Sequence, residues 1–356
     1  MSVRTSDFVA SSVSAASAEL ASSGNPLVAL RVKETSGSRV VYLASRGTKS
    51  PAYVLKLRKP RRLIPATARK REQLSAAAEY DAIRRVARYY AGIPQFEGSV
   101  PRPIRLLRDH DAFVTEFIEG RSLKDLLPMA TGLFSTASSR SALRDVCYKC
   151  GIWLGLQHLM PIPDSLPSRA FDLERLRQKS DAAVAILPEP TRRTTAIRDL
   201  RAAADDYTQP VTGDVTCHGD FQPGNIFVRD GEPFVIDFGT MGIGPAEDDL
   251  AFFLVLMATQ KFRVVLGNAA GDPRFTVDLC DAFFDGYASR RAAQLPALKP
   301  LVAVYMLERL AAMFDTTSRL PRLARPIVRA RLNRWVERDL TAFLKSLEHL
   351  WTGRSR

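Results

Sequence analysis

The sequence predicts an α+β protein of two lobes: a small, mainly β N-terminal lobe with one long helix, and a larger, mainly helical C-terminal lobe. Three observations predict it. Three β-prone runs crowd into residues 27–57 and lead into a long amphipathic pattern. Two further strand-like runs follow before residue 118. Beyond that, helical periodicity dominates and is interrupted by one strong hairpin at 225–236. A chain of 356 residues is long enough for such a two-lobed body.

Residues 1–25 are Ser/Ala-rich and lack the continuous apolar core of a signal peptide, so they read as a partly disordered leader, with a short capping helix as the alternative. Leu27 to Val32 and Arg39 to Ala44 read as strands joined by a linker containing Ser36, Gly37 and Ser38. Pro51 to Leu57 reads as the third strand and carries Lys56 within Val54-Leu55-Lys56-Leu57. Residues 66–90 read as one long helix in which Glu79, Ile83, Val86 and Tyr90 share a face. A carboxylate on an apolar face needs a cation. Lys56 is the natural one for Glu79, and Glu72 is a competing acid near the same face. Pro101 to Leu107 and Ala112 to Phe117 read as strands, followed by the turn residue Gly120.

Ser141 to Leu159 is a strong amphipathic helical pattern. Cys147 and Cys150, one helical turn apart within it, read as core residues rather than a redox or metal pair, because no second Cys-x-x-Cys exists. His158 at its end reads as a packing or capping residue. Phe171 to Leu187 and Pro190 to Ala204 are helical in pattern, as is most of the chain from Asp249 to about Leu350. Val336, Leu340, Phe343, Leu347 and Leu350 form an apolar stripe opposite Arg334, Arg338 and Lys345, better suited to packing on the C-terminal core than to lying on a membrane.

Composition narrows the setting. The formal charge of +13 favours anionic partners such as nucleotides. The basic run 56–71 reads first as a solvated surface and second as a peripheral contact for an anionic surface; no nucleic-acid-binding motif accompanies it. The apolar stretch near Leu250 to Ala258 is too short to cross a bilayer. Four cysteines without a disulfide pattern fit a reducing cytoplasm.

The chemistry concentrates in CHGDFQPGNIFVRDGEPFVIDFG, residues 217–239. Asp230-Gly231 between Asn225-Ile-Phe-Val and Pro-Phe-Val-Ile236 is a hairpin turn signal. Asn225 and Asp237 are equidistant from Gly231, so antiparallel pairing centred there brings the two oxygen donors together, which suits Mg²⁺. Asp220 lies on the loop entering the hairpin, placed to accept a proton from an attacking hydroxyl.

His-Gly-Asp-x4-Asn followed by Ile-Asp-Phe-Gly resembles the aminoglycoside phosphotransferase and choline kinase-like family, a branch of the protein-kinase-like fold. The resemblance implies a bilobal protein-kinase-like architecture, with an N-lobe at 26–118 and a C-lobe at 119–356. It implies Asp220 as catalytic base, Asn225 and Asp237 as Mg²⁺ ligands, and His218 as support for the loop. It further implies Lys56, braced by Glu79, on the phosphates of ATP (or GTP). Ser36, Gly37 and Ser38 would form the nucleotide-positioning turn, and backbone groups near Glu116, Phe117 and Ile118 would meet the adenine edge. Asp249-Leu250-Ala251 resembles the end of the family's G-D-P-x-x-D-L-A element, although its first acid is missing. Asp249 is expected to cap the next helix and brace the catalytic loop, and Asp248 to face substrate or act as a second cap.

Two spacings separate this chain from a protein kinase. The long stretch between His158 and Asp220 resembles a substrate-binding insertion, about 160–212. The interval after Gly239 is too short for a peptide-docking activation segment. The expected activity is therefore phosphorylation of a hydroxyl on a sugar, amino alcohol or aminoglycoside-like compound. The basic composition weakly disfavours a polycationic acceptor. A non-catalytic nucleotide-binding scaffold and a kinase of a lipid-linked or surface glycan are the competing readings.

Overall fold

Alternating apolar residues in 27–58 build three successive antiparallel strands: β1 (Leu27–Glu34), β2 (Ser38–Ser45) and β3 (Tyr53–Arg58). Two more, β4 (Pro103–Leu107) and β5 (Ala112–Glu116), complete a five-stranded sheet in the order β1-β2-β3-β5-β4. The computed structural model describes residues 3–20, 26–35, 38–59, 73–131, 135–163, 165–168, 173–206, 213–260, 273–291 and 295–352. Its chain divides into two compact units, Met1–Gly120 with Phe234–Met241, and Arg121–Pro233 with Gly242–Arg356. The first boundary falls two residues beyond the expected end of the N-lobe. The Asp237-Phe238-Gly239 segment groups with the first unit, where Lys56 pairs with Asp237, Val235 N–H donates to Ser99 and Leu74 N–H donates to Gly239.

One face of the sheet buries Val41, Leu43, Leu55, Leu57, Leu107, Ala112 and Val114. Residues 3–20, expected within a partly disordered leader, instead form helix α1 (Val3–Leu20) against that cluster. The Ser/Ala-rich composition conceals its stripe: Val9, Val13, Ala16 and Leu20 recur at helical spacing and all pack on the cluster. Ser17 Oγ accepts from Leu27 N–H at 2.8 Å and fixes the helix to the start of β1.

The long helix is also shorter than the pattern suggested. α2 spans Ala76–Ala91, and Ser75 terminates it by accepting from Ala78 N–H at 3.2 Å in an extended N-cap conformation. Residues 73–75 are not helical, and residues 60–72, which include Glu72 and most of the basic run, lie outside the described residues. Glu79, Ile83, Val86 and Tyr90 are all buried on one face of α2.

The second unit begins with the short strand β6 (Arg121–Ser122), followed by α3 (Leu123–Thr131) and α4 (Ala137–Leu159). The expected helix at 171–187 is α5 (Leu173–Ile186). The expected helix at 190–204 is two pieces, α6 (Glu189–Arg192) and α7 (Thr195–Asp205), because Thr194 N-caps the second. Then come β7 (Val215–Cys217), β8 (Ile226–Arg229), β9 (Glu232–Val235), β10 (Gly242–Gly244) and α8 (Ala246–Ala258). β10 pairs with β7, and β6 with β8, both antiparallel. Helices α9 (Pro273–Ala288) and α10 (Leu298–Ser318) follow, and α10 packs against α5, α7 and α8. In the C-terminal stretch Val336, Leu340 and Leu347 are buried while Arg334, Arg338 and Lys345 are exposed, around a π-helical turn at Trp335–Leu340. Among the described residues no helix is long and apolar enough to cross a membrane. All four cysteines are buried and stand outside any disulfide.

The closest helix contact explains two glycines. A Cβ built at Gly151 of α4 would collide with the Phe283 carbonyl of α9 and stand 2.7 Å from Tyr287 N, and one at Gly286 would collide with the Tyr148 carbonyl. Backbone cannot yield as a side-chain tip can. Gly151→Ala is therefore expected to cost about 1–3 kcal/mol, read as a lower urea midpoint with an unchanged slope.

Candidate active site

In the first unit, the two-residue period of β3 turns Leu55 and Leu57 into the core and sets Lys56 and Arg58 on the opposite face. Lys56 Nζ donates to Glu79 Oε1 at 2.7 Å and to Asp237 Oδ1 at 2.6 Å. Arg58 Nη2 donates to the other Glu79 oxygen, and its Nη1 to Gln73 Oε1 at 3.1 Å. Glu79 is fully buried, whereas the Asp237 side chain keeps 41% of its surface. Burial draws the Lys56 ammonium down, but Asp237 and Glu79 outweigh it, against the Arg58 charge, and hold the group above the ordinary lysine value. Asp237 has φ 67°, a left-handed conformation that aspartate tolerates better than most residues.

The other expected nucleotide contacts are only partly reproduced. Ser36 and Gly37 lie outside the described residues. Ser38 opens β2 and is buried, its hydroxyl 2.9 Å from Thr35 Oγ1 and its N–H donating to the same atom at 3.0 Å, as in a closed hairpin turn. At the expected adenine contact, Glu116 N–H donates to Arg102 O at 3.0 Å and Phe117 N–H to Ala52 O at 2.9 Å. Those two N–H groups are used by the sheet edge, which leaves the carbonyls of this stretch and Ile118 N–H for the expected contact. Ile118 N–H has no acceptor among the described residues.

In the second unit, β7 delivers the chain to His218-Gly219-Asp220. Both N–H groups at the turn donate to Asp249: His218 N–H to Oδ2 and Gly219 N–H to Oδ1, each at 2.7 Å. Gly219 has φ 82°, which a side chain would resist. Asp249 lies inside the first turn of α8, whose N-cap position is Pro245, and both its oxygens serve the loop. Asp248 is bonded to the Tyr305 hydroxyl. His218 is fully buried, and its Nδ1 accepts from Asp220 N–H at 3.2 Å. Phe221 stacks on Trp153 at 5.7 Å between ring centroids and packs with Phe253 and Phe283, anchoring the loop beside Asp220.

Asp220 itself is half-buried and held by two amides. Gln222 Nε2 donates to Oδ1 at 2.9 Å, and Asn225 Nδ2 to Oδ2 at 2.8 Å. Asn225 Nδ2 also donates to the Asp220 carbonyl at 3.0 Å, which fixes the amide orientation and leaves Oδ1 as its acceptor. The hairpin after it has the two-residue loop the sequence predicts. Asp230 (φ 54°) and Gly231 (φ 78°) are both left-handed, as a type I′ turn requires, and Lys149 donates to Gly231 O and Glu232.

His158, Cys217 and Asp249 cluster closely enough to suggest a metal site, but each is already engaged. Asp249 is an acceptor only, so His158 Nε2, 3.2 Å away, carries the proton, and Nδ1 accepts from the Tyr287 hydroxyl at 3.0 Å. Cys217 donates to Pro245 O at 3.3 Å. The cluster is a hydrogen-bonded brace behind the loop. Burial, with nearby carboxylates adding to it, pushes the Tyr287 phenol up and keeps it a donor.

The profile of the APH phosphotransferase enzyme family matches residues 32–293. The chain belongs to that family. Among solved structures it is similar to spectinomycin phosphotransferase APH(9)-Ia in complex with ADP and spectinomycin, at 16% identity over 90% of this chain and 94% of that chain, with a TM-score of 0.54. It is similar to a choline/ethanolamine kinase family protein from Mesorhizobium loti, at 14% identity over 96% and 98% of the chains, with a TM-score of 0.52. It is also similar to the amicoumacin kinase hAmiN in complex with AMP-PNP, Ca²⁺ and Ami, at 15% identity over 86% and 87%, with a TM-score of 0.52. A curated relative, the EKC/KEOPS complex subunit BUD32 of Yarrowia lipolytica, is 36% identical over 70 residues, 20% of this chain and 25% of the relative, so the chain spans about a quarter of that protein. The fold is the protein-kinase-like fold, and the chain is a phosphotransferase.

For this phosphotransferase, sequence reasoning missed Arg58, Gln222 and Tyr287. Arg58 had a signal, since a second base two residues from Lys56 on a strand shares its face. Gln222 and Tyr287 had none, because their partners depend on how the loop and α9 fold. The Lys56 cluster makes a prediction about pH. A lysine whose value is raised on folding contributes its stability fully at lower pH and loses it as pH climbs through the raised value. The stability advantage of the wild-type protein over Lys56→Met is expected to be constant at neutral pH and to shrink above the ordinary lysine value of 10.5, measured by urea unfolding across that range.

Proposed function

We propose that this phosphotransferase transfers the γ-phosphoryl group of ATP (or GTP) to a hydroxyl of a small molecule: a sugar, an amino alcohol or an aminoglycoside-like compound. The observation that carries this reading is the Asp220 carboxylate, held at both oxygens by neutral amides on a loop anchored through Asp249. Such a carboxylate is pre-positioned as an acceptor at a defined point of the loop, which suits it to take a proton from an alcohol.

The residues present fit a nucleotide and a divalent metal. Lys56 is a buried cation oriented by Glu79, as contact with α- and β-phosphates requires. Ile118 N–H is the backbone donor assigned to the adenine edge. Asn225 Oδ1 and the Asp237 carboxylate are hard oxygen donors of the kind Mg²⁺ takes. Bound Mg²⁺ would neutralise charge developing on the transferred phosphoryl group. The chain's own residues then do three things. Asp220 orients the acceptor hydroxyl and receives its proton, Lys56 steadies the phosphates, and the Asp249 network keeps Asp220 in place. Two solved neighbours were captured with ADP or AMP-PNP, one of them with Ca²⁺, beside spectinomycin or Ami, which supports a small-molecule acceptor over a peptide. The four buried thiols, none in a disulfide, suit a reducing compartment such as the cytoplasm.

The test is a nucleotide-consumption screen against sugars, amino alcohols, aminoglycosides and nucleosides, with Asp220→Asn alongside. With the acceptor found, Asp220→Asn is expected to lower turnover by about 10²–10⁴-fold while nucleotide affinity, measured by calorimetry, stays nearly unchanged. Retained turnover would remove Asp220 from the role of base.

A further inference from the structure

Arg58 is a buried cation that phosphoryl transfer, as described above, leaves without a task. Burying a second charge beside Lys56 is costly unless its contacts require it. Those contacts are specific. Glu79 divides its oxygens, Oε1 to Lys56 and Oε2 to Arg58. The far side of the guanidinium lies against Gly239, where an added Cβ would collide with Nη2 and come within 3.3 Å of Cζ and Nη1. Gln73 holds Nη1, and the next residue, Leu74, donates its N–H to the Gly239 carbonyl at 2.8 Å. Gly239 is not in the left-handed region, so its own backbone would accept alanine. The absence of a side chain there serves Arg58.

We propose that Arg58 is a positioning residue that clamps Glu79 from one side and seats Gly239 on the other, so that Glu79 and Asp237 are both aimed at Lys56. The proposal rests on the reading that Lys56 contacts nucleotide phosphates. It adds a reason for the second cation. When Lys56 turns toward phosphate, Glu79 keeps Arg58 and is never a buried carboxylate without a counter-ion. Arg58 also opposes the pull of the two carboxylates on Lys56. Without Arg58, both Glu79 oxygens would turn to Lys56, which would yield less readily to a nucleotide.

The test measures binding of Mg²⁺–AMP-PNP by calorimetry in the full chain, for Arg58→Met, Arg58→Lys, Gly239→Ala and the Arg58→Met/Gly239→Ala pair, with Lys56→Met as control and urea midpoints recorded throughout. Arg58→Met and Gly239→Ala are each expected to weaken binding about tenfold, with partial recovery in Arg58→Lys. The pair should bind no worse than Arg58→Met alone, because the new Cβ then has room. A merely structural role would lower the midpoints without this coupling. Affinity within about twofold of wild type in Arg58→Met, or losses that simply add in the pair, overturns the proposal. If Lys56→Met leaves affinity intact, the nucleotide reading itself fails and the proposal falls with it, a result separable because it appears in the control. If Arg58→Met does not fold, the same cycle is run on Arg58→Lys, whose slimmer head must relieve Gly239→Ala.

Discussion

Glu79 is a carboxylate with no exposed surface, and the first unit is organised around supplying both its oxygens with partners. An unpaired charge there would cost several kcal/mol even after relaxation. β3 meets that demand by presenting two cations on one face, one for each oxygen. Satisfying Glu79 in this way has consequences at each neighbouring element. It sets which face of α2 turns inward, because Ile83, Val86 and Tyr90 must follow Glu79 at helical spacing. It brings Asp237 within 2.6 Å of Lys56 in a conformation that few side chains accept. It also requires Gly239 to lack a side chain.

The second unit solves a comparable problem differently. Asp249 is equally buried, and the bonds that hold the loop to it come from a different kind of donor. Two backbone N–H groups and the His158 ring satisfy it instead. Backbone donors are the rigid choice, because they cannot rotate away as a lysine can. The contrast matches what each carboxylate holds. Glu79 orients a side chain, Lys56, that has to change partners if it is to meet phosphate. Asp249 fixes a turn whose only task is to stay still, so that Asp220 projects from a defined point.

Much of this was legible in the sequence because it is local. The Asp230-Gly231 turn, the order of the five strands along the chain, and the face shared by Glu79 and Tyr90 all follow from spacing and turn chemistry. What was not legible depends on competition between distant groups. The start of α2 was misjudged because Ser75 offers a cap that periodicity does not weigh. The sequence leaves residues 1–25 between partial disorder and a short capping helix, because the stripe of α1 is made of small residues whose burial depends on a sheet formed later in the chain. The hinge-like sequence at Glu116 and Phe117 does not tell which backbone groups are spent on the sheet; there the two N–H groups close its edge. For Asp249 the expectation joined a helix cap to a brace for the loop, and which of the two takes the oxygens depends on the fold: both accept from loop N–H groups.

The same competition explains why the pairing around Asp220 carries more information than the motif around it. His-Gly-Asp-x4-Asn states which residues are present, but not that Asn225 uses its amide nitrogen on Asp220 and so keeps its oxygen as an acceptor. That division of one side chain between two tasks links the two halves of the proposed chemistry. Its nitrogen holds Asp220, the proposed base, and under that proposal its oxygen would serve a cation. A side chain with two equivalent oxygens at this position could do the second task only by repelling Asp220, and a hydrocarbon could do neither. Asparagine is the residue type whose two ends meet both requirements, and the separation from Asp220 along the turn through Pro223 and Gly224 is what lets the amide reach back.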